Sequence, residues 1–443
     1  METFATDAKG IGGLIRQIPD DFVVEEVLVD GSKAKVKPES PFPEPSGEGR
    51  YLVCLLVKRD WDTLLVVRKI ARQLGISEHR VQIAGIKDKK AVTAQHISIE
   101  NIAPERLKRI CIKDIHVYPL RYSYNMVFPH MSFGNAFCLT IRGISIVDTL
   151  IRSRTSSIRE QLHLLGGVPN FFGHQRFGTL RPITHLVGKA FAQDDVEKAA
   201  MIFLGAPGQH EHPESRGVRE RLQKTQDFND ALQRFPRRLL YERLMLSRLI
   251  TRPKDYAGAF KRLPGRLCRL FLQAYQSYLF NRSLSQRLVR GIPLNDPQIG
   301  DYVVRTDIHG LPTNSHVRVD SSNLAALREA ARRKKMYVAI PLIGYKQTPS
   351  EGVQGEIEQS LLEQEKIAPD DFRVRSMPQL SAKGGLRAAL TPIMDLEIAT
   401  PAQDEGNPRK KKLQVTFTLH RGCYATVVLR EFLKPRNVIA AGF

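Results

Sequence analysis

The spacing of apolar residues is the feature that most limits how this chain can fold, because short runs with strand periodicity alternate with runs of helical spacing. Residues 21–29 alternate and are rich in β-branched side chains, whereas residues 51–57 form a short apolar run, and both patterns predict strands. Residues 63–74 keep helical spacing after the capping oxygens offered by residues 60–63. The sequence therefore predicts a mixture of strands and helices.

One predicted connection contains a single acid among three lysines. Residues 81–85 and 92–99 are predicted strands, and the hairpin-like segment between them contains Lys87, Asp88, Lys89 and Lys90. Nearby positive charges favour the ionised form of a carboxylate, so we expect Asp88 to be crowded by ammonium groups and to stay charged. A solvated surface turn is the alternative, and for an isolated cluster of this kind it is the more common outcome.

Residues 168–178 fit neither periodicity and contain three phenylalanines and two glycines. Planar hydrogen-bonding groups, those of Asn170, Gln175 and Arg176, lie between the rings. A rigid loop of this composition is suited to stacking on a nucleic-acid base and bonding to its edge. A phenylalanine-rich turn that fills a core explains the loop equally well.

The charge of the chain indicates a polyanionic partner. Lysine and arginine number 67 against 46 acidic residues, which gives a net charge of +21 and a pI of about 9.8. A membrane surface is a weaker alternative, because no run of about 18 apolar residues is present and the first residues lack the layout of a signal peptide. The five cysteines are far apart and never spaced as a metal-binding pair, which argues against a metal site. We expect a cytoplasmic, nucleic-acid-binding protein.

Two other segments bear on anion binding. Residues 10–13 have the glycines of a phosphate-binding loop, but they follow no predicted strand and lack its Gly-Lys-Ser/Thr ending, so we interpret them as a flexible turn. Residues 354–365 form an acidic segment that we predict to be exposed. Such a segment is not expected to contact a polyanion.

Four separated stretches of the chain resemble the motifs of the TruD family of tRNA pseudouridine synthases. Residues 21–26 match the pattern Asp-Phe-x-Val-x-Glu, and residues 85–95 match Gly-x-Lys-Asp-x-x-Ala-x-Thr-x-Gln. Residues 170–178 match Asn-aromatic-Phe-Gly-x-Gln-Arg-Phe-Gly, and residues 424–431 resemble the family's carboxy-terminal helix. A fifth match lies at residues 274–281. Each motif alone is weak, but together they follow the family's order across nearly the whole chain.

The resemblance implies an α/β (α+β) fold with two domains in a V-shape. A catalytic core with a mixed, mainly antiparallel sheet would comprise residues 1–193 and 376–443, and a TruD-specific α/β insertion would comprise residues 194–375. The implied reaction is the isomerisation of a uridine of tRNA, uridine 13 in the D-arm region, to pseudouridine by base flipping. The resemblance implies no cofactor and no metal, and a monomer is favoured.

The resemblance also implies roles for matched residues. Asp88 would be the catalytic carboxylate, Phe172 would stack on the extruded uracil, and Asn170 would bond to a polar edge or orient Asp88. Other matched residues are expected to bind RNA or lie near the site; they are Lys87, Lys89, Gln95, Arg176, Phe22 and Glu26. Several of these also have structural explanations: solvated lysines, strand pairing for Gln95, loop shaping for Arg176 and burial for Phe22.

Three alternative functions can be compared by the residues that each would require in the sequence. A catalytically inert RNA-binding protein on the same scaffold would not need Asp88, Asn170 and Phe172 together. A zinc deaminase would need His-x-Glu with Pro-Cys-x-x-Cys, and this signature is absent. A nucleotide-dependent enzyme would need a glycine loop between a strand and a helix, which is also absent.

Overall fold

The computed structural model describes residues 1–38 and 44–443 and contains strands, α-helices and short 3-10 helices. The strands are β1 (Phe22–Leu28), β2 (Tyr51–Arg59), β3 (Val81–Ile83), β4 (Val92–Glu100), β5 (Ile115–Ser123), β6 (Ser132–Ile144), β7 (Val168–Pro169), β8 (Tyr302–Thr306), β9 (Pro312–Arg318), β10 (Met336–Leu342), β11 (Gly385–Ala388), β12 (Leu390–Thr391), β13 (Met394–Ile398), β14 (Ala402–Gln403) and β15 (Lys411–His420). The α-helices are α1 (Thr63–Leu74), α2 (Asp148–Leu165), α3 (Thr184–Ala192), α4 (Val196–Gly205), α5 (Pro213–Thr225), α6 (Phe228–Arg234), α7 (Leu240–Thr251), α8 (Tyr256–Lys261), α9 (Gly265–Val289), α10 (Leu324–Arg332), α11 (Gly352–Glu365) and α12 (Ala425–Leu433). The 3-10 helices are Pro19–Asp21, Glu78–Arg80, Pro104–Arg109, Pro129–Met131, His174–Arg176, Pro369–Phe372 and Pro378–Leu380.

The chain forms two compact units. The sheet unit comprises residues 6–168 and 391–442, and the helical unit comprises residues 1–5, 169–390 and Phe443. The chain passes from one unit to the other within the two short strands β7 and β12. The predicted insertion, residues 194–375, lies inside the helical unit, and its limits stay a prediction.

The sheet unit is built on one mixed sheet. Its strand order is β13-β15-β6-β1-β4-β2-β5, with β3 paired to β4 and β14 paired to β15. The pair β1–β4 is parallel, and the other pairs are antiparallel. The predicted mixed, mainly antiparallel sheet is confirmed. Its central strand β4, which pairs with β1, follows the Asp88 connection directly and, together with β3, positions it.

Helix α1 shows why the local sequence folds as predicted. The Asp62 side chain accepts hydrogen bonds from the amides of Leu64 and Leu65, and Gly75 ends the helix with a φ of 64°. Val66, Ile70 and Leu74 lie on one face and are fully or almost fully buried. They pack against apolar side chains of β2 and β4, so the helix covers the sheet beside the Asp88 connection.

The helical unit has a large core of helices and a smaller antiparallel sheet in the order β11-β10-β8-β9. Helix α11 corrects one prediction, because this acidic segment is not fully exposed. Glu358 and Glu365 are only 1% and 8% exposed. The carboxylate of Glu365 pairs with Lys189 at 2.6 Å and with Arg282 at 2.8 Å. Cations from distant segments therefore make its burial possible.

No helix in residues 1–38 and 44–443 is long and apolar enough to cross a membrane. The same part of the chain contains no group of three or more His, Cys, Asp or Glu side chains arranged to bind a metal ion.

Candidate active site

Asp88 lies in the connection between β3 and β4, which we call the Asp88 loop (residues 84–91). The strands are antiparallel, with Val81 opposite Ile99, so the predicted hairpin is confirmed. The Asp88 side chain is 36% exposed, and its Oδ1 accepts a hydrogen bond from Nη2 of Arg16 at 2.7 Å. The loop therefore presents a half-buried carboxylate with one guanidinium partner.

The expectation that three lysines crowd Asp88 is wrong. The Lys87 side chain turns away from Asp88, and its Nζ lies 2.7 Å from Oε1 of Glu26 and 2.8 Å from Oδ1 of Asn135. Lys89 and Lys90 are exposed, and within the described residues neither forms an ion pair with Asp88. Successive side chains of a tight loop point in different directions, so neighbours in sequence need not be neighbours in space.

Arg16 is the counter-charge that the sequence did not indicate. Its backbone has a φ of 56°, which non-glycine residues rarely adopt, and its side chain is only 11% exposed. The guanidinium lies 4.0 Å from the centre of the Phe22 ring. Burial lowers the pKa of Arg16, and the charge of Asp88 opposes that effect. Phe22, which is 1% exposed, thus supports Arg16 from the core.

The backbone of the Asp88 loop is bonded by a buried lysine. Nζ of Lys58 donates to the carbonyl of Asp88 at 2.7 Å and to the carbonyl of Trp61 at 2.8 Å. Burial lowers the pKa of Lys58 to about 8, although the charges of Asp88 and Asp62 act in the opposite direction. Lys58 therefore fixes the main chain at the residue whose side chain Arg16 binds.

Two neutral side chains bond to the same loop. The Thr63 hydroxyl accepts from the amide of Lys87 at 3.1 Å, and Nε2 of Gln95 donates to the carbonyl of Gly85 at 3.1 Å. Both side chains are fully buried. Gln95 is thus placed to fix the loop from strand β4, and its expected contact with RNA stays a prediction.

Glu26 joins β1 to the Asp88 loop from inside the core. It is fully buried, and its Oε2 accepts from the His96 amide at 2.8 Å, while Oε1 pairs with Lys87. Burial alone would raise the pKa of Glu26, but the hydrogen bonds from His96 and the charge of Lys87 outweigh burial and leave that pKa below its usual value. Glu26 therefore orients Lys87, the residue before Asp88.

The aromatic loop (residues 169–178) lies in the helical unit. Phe172 is 8% exposed, and its ring contacts Phe280 edge to face with centroids 5.6 Å apart. The Asn281 side chain accepts from the Phe172 amide at 2.8 Å and donates to the Phe172 carbonyl at 2.9 Å. Helix α9 thus fixes the loop through residues of the fifth matched motif.

Arg387 joins Asn170 and Phe172. Its Nε and Nη2 donate to the backbone carbonyl and to Oδ1 of Asn170 at 3.0 and 2.5 Å, and its guanidinium lies 4.1 Å from the centre of the Phe172 ring. The Asn170 amide group also donates to the carbonyl of Ala388 at 3.0 Å. Arg176 donates from Nε to the Ser277 hydroxyl at 3.2 Å. Loop shaping, the structural explanation for Arg176, agrees with this contact.

The structure brings together two groups of the predicted site residues, one in each unit. Asp88, Lys87, Gln95, Phe22 and Glu26 belong to one connected network in the sheet unit, and Lys89 lies exposed in the Asp88 loop. Asn170, Phe172 and Arg176 form the second group in the helical unit.

Sequence reasoning missed Arg16, Lys58 and Arg387. Arg16 and Arg387 lie outside the matched motifs, and each contacts a motif only through the tertiary fold. The local sequence does indicate Lys58. It is a cation at the end of the apolar strand β2, and a cation buried there needs a hydrogen-bonding partner.

Known proteins resemble this chain over almost its full length, in agreement with the motifs. A family model described as tRNA pseudouridine synthase D (TruD) matches residues 1–432. Proteins named "Probable tRNA pseudouridine synthase D" include one of Methanococcoides burtonii, 38% identical over 98% of this chain and 96% of its own, and one of Methanopyrus kandleri, 39% identical over 90% and 89%. A TruD crystal structure from Methanosarcina mazei matches with a TM-score of 0.82 and 36% identity over 98% of this chain and 96% of its own. The chain belongs to the TruD family of tRNA pseudouridine synthases, which are isomerases.

Proposed function

We propose that this protein isomerises uridine 13 of tRNA to pseudouridine and that Asp88 is the catalytic carboxylate. The observation that most supports this is the geometry of Asp88: a 36%-exposed carboxylate on a loop whose backbone is bonded by buried side chains, paired with Arg16 at 2.7 Å. A surface turn would not need so many buried contacts. The Asp88 loop is therefore preorganised, as a catalytic group must be.

The reaction breaks the bond from C1′ to N1 and forms one from C1′ to C5, with no net redox change. The C5 proton leaves and N1 gains a proton, so the isomerisation needs no co-reactant and the proposal includes no cofactor. Asp88 acts either as a nucleophile or as a base at the sugar, and both routes need an ionised carboxylate. Arg16 supplies the counter-charge without occupying both carboxylate oxygens.

The target uridine must leave its stack, which costs on the order of a few kcal/mol. We assign Phe172 to stacking on the extruded uracil and Asn170 to bonding a polar edge or orienting the catalytic group. Arg387 keeps Asn170 and the Phe172 ring in one arrangement in the helical unit. Phe172 is only 8% exposed, so stacking requires neighbouring side chains to shift when RNA binds.

The experiment that tests the function compares pseudouridine in tRNA before and after treatment with the purified protein. The wild type should introduce one new pseudouridine, at position 13, without added metal or cofactor. The variant Asp88→Asn keeps nearly the same volume and should form none, while its affinity for tRNA stays within about threefold of the wild type. Measurable turnover by Asp88→Asn would overturn the role of Asp88.

The same assay distinguishes an inert RNA-binding protein on this scaffold, because such a protein would bind tRNA and leave uridine unchanged.

Substitutions of Phe172 supply a second comparison. Phe172→Ala removes the ring and should lower turnover by about tenfold or more, whereas Phe172→Tyr retains the ring face. Equal turnover of these two variants would mean that the ring only fills the core.

A further inference from the structure

The glycine segment at residues 10–13, interpreted from the sequence as a flexible turn, lines a cavity of about 470 Å³ in the sheet unit. Two of its glycines need their special backbone, since Gly12 and Gly13 have φ values of 68° and 98°. A Cβ at Gly12 would meet open space, although the Gly12 amide already donates to the Leu433 carbonyl at 3.2 Å. The Gly13 amide donates to no acceptor in the described part of the chain.

Three cationic side chains line this cavity, namely Arg154, Lys434 and Arg436. Among its described lining residues there is no aspartate or glutamate. Arg154 donates to the Gly10 carbonyl at 2.7 Å, and Lys434 bonds to the Thr6 carbonyl and pairs with Glu431 at 3.7 Å, so both are fixed and Lys434 already has an anionic partner. Arg436 is exposed and forms no hydrogen bond or ion pair with any described residue. It therefore has a free guanidinium at the cavity.

A second cavity of about 180 Å³ lies along helix α2, the helix that contains Arg154. Its lining includes Arg152 and Arg159, both exposed, and again no carboxylate among the described lining residues. Neither arginine forms an ion pair within the described residues. Because Arg436, Arg152 and Arg159 line these cavities without a carboxylate partner among the described residues, the three arginines indicate an anionic ligand.

We propose that the two cation-lined cavities beside helix α2 bind phosphate groups of the RNA substrate. Free arginines and an unbonded backbone amide such as that of Gly13 are groups that bind phosphodiesters, and such contacts position RNA without selecting its sequence. RNA is favoured over a free anion because this inference rests on the proposed function, in which the substrate is tRNA. The cavities would bind the tRNA backbone, whereas Asp88 would act on the uridine.

The test measures the Kd for a tRNA transcript over a range of salt concentrations. Arg436→Ala and Arg159→Ala should each weaken binding by about three- to tenfold at moderate salt and lower the slope of log K against log salt by about one. Arg436→Lys should stay close to the wild type, because it retains the charge. The matched control is Arg72→Ala, which removes an exposed arginine of helix α1 that forms no ion pair within residues 1–38 and 44–443 and should change Kd less than twofold.

Equal effects of Arg436→Ala, Arg159→Ala and Arg72→Ala would overturn the proposal, since removal of any surface charge would then be sufficient. Inorganic phosphate at constant ionic strength should compete with tRNA for the wild type and not for the Arg436→Ala, Arg159→Ala double variant. If inorganic phosphate bound to the wild type, but the arginine variants left the slope of log K for tRNA against log salt unchanged, the cavities would bind a free anion. The assignment to RNA phosphates would then fail.

Failure of the phosphate sites is distinguishable from failure of the catalytic proposal. If Asp88→Asn is inactive while the arginine variants bind tRNA normally, only the cavities are wrongly assigned. If the arginine variants bind tRNA more weakly and with a smaller slope of log K against log salt, but Asp88→Asn still forms pseudouridine, the phosphate sites are supported. The catalytic assignment of Asp88 then fails.

Discussion

The buried ion pair between Glu26 and Lys87 should determine how rigidly the Asp88 loop is fixed. Glu26 is fully buried and the Lys87 side chain is 7% exposed, with the charged atoms 2.7 Å apart. Removing one member of such a pair leaves an uncompensated charge in the core, at a cost of about 3–5 kcal/mol. Lys87 would keep its bond to Asn135 in Glu26→Gln, so we expect the lower end, about 3 kcal/mol.

A double-mutant cycle isolates this interaction. Glu26→Gln leaves an ammonium group without its anion, and Lys87→Met leaves a carboxylate without its cation, whereas the double variant contains neither charge. The double variant should therefore be less destabilised than the sum of the two singles, with a coupling free energy of about 2 kcal/mol or more. Additive effects would refute the reasoning.

Fluorescence of Trp61 provides the measurement. It is the single tryptophan of the chain and lies in the same unit as Glu26 and Lys87, so urea unfolding followed at this residue reports the sheet unit. The midpoint should fall in each single variant with an unchanged m-value. Single variants within about 0.5 kcal/mol of the wild type would show that the pair contributes little.

The pH dependence gives an independent check with a definite sign. The pKa of Glu26 in the folded protein lies below 4.5, its value in an unfolded chain. Its stabilising contribution is therefore fully present above about pH 4.5 and is lost as the pH falls through the folded pKa. The difference in unfolding free energy between the wild type and Glu26→Gln should narrow below about pH 4.5. A constant difference down to pH 3 would contradict the assignment.

Three further variants test residues that contact the two loops. Arg16→Ala removes the partner of Asp88 and should lower kcat by about tenfold or more, with Arg16→Lys retaining part of the activity in steady-state assays. Lys58→Met removes the donor to the Asp88 carbonyl and should reduce kcat more than it raises KM. Unchanged values of kcat and KM would contradict this role for Lys58. Arg387→Ala and Arg387→Lys should both lower turnover, because only arginine spans Asn170 and the Phe172 ring, and wild-type turnover in Arg387→Lys would show that charge alone is sufficient.

The sequence predicted those features that depend on short-range spacing. The ends of α1 followed from the Asp62 cap and from Gly75, and the hairpin around Asp88 followed from two β-branched runs. These elements are determined by residues within a few positions of each other. Contacts between distant segments were different: Arg16 is 72 residues from Asp88, and Arg387 is 217 residues from Asn170. No local pattern specifies such partners.

Charge illustrates the same limit most clearly. The net charge of +21 shows that cationic side chains outnumber acidic ones, but it does not show which cations are neutralised inside the fold. Lys87, which looked free beside Asp88, is paired with buried Glu26, and the acidic helix α11 places Glu365 between two cations. Arg436 and Arg159, which matched no motif, are unpaired within the described residues. The electrostatic part of RNA binding should therefore be sought at these arginines rather than at Lys87.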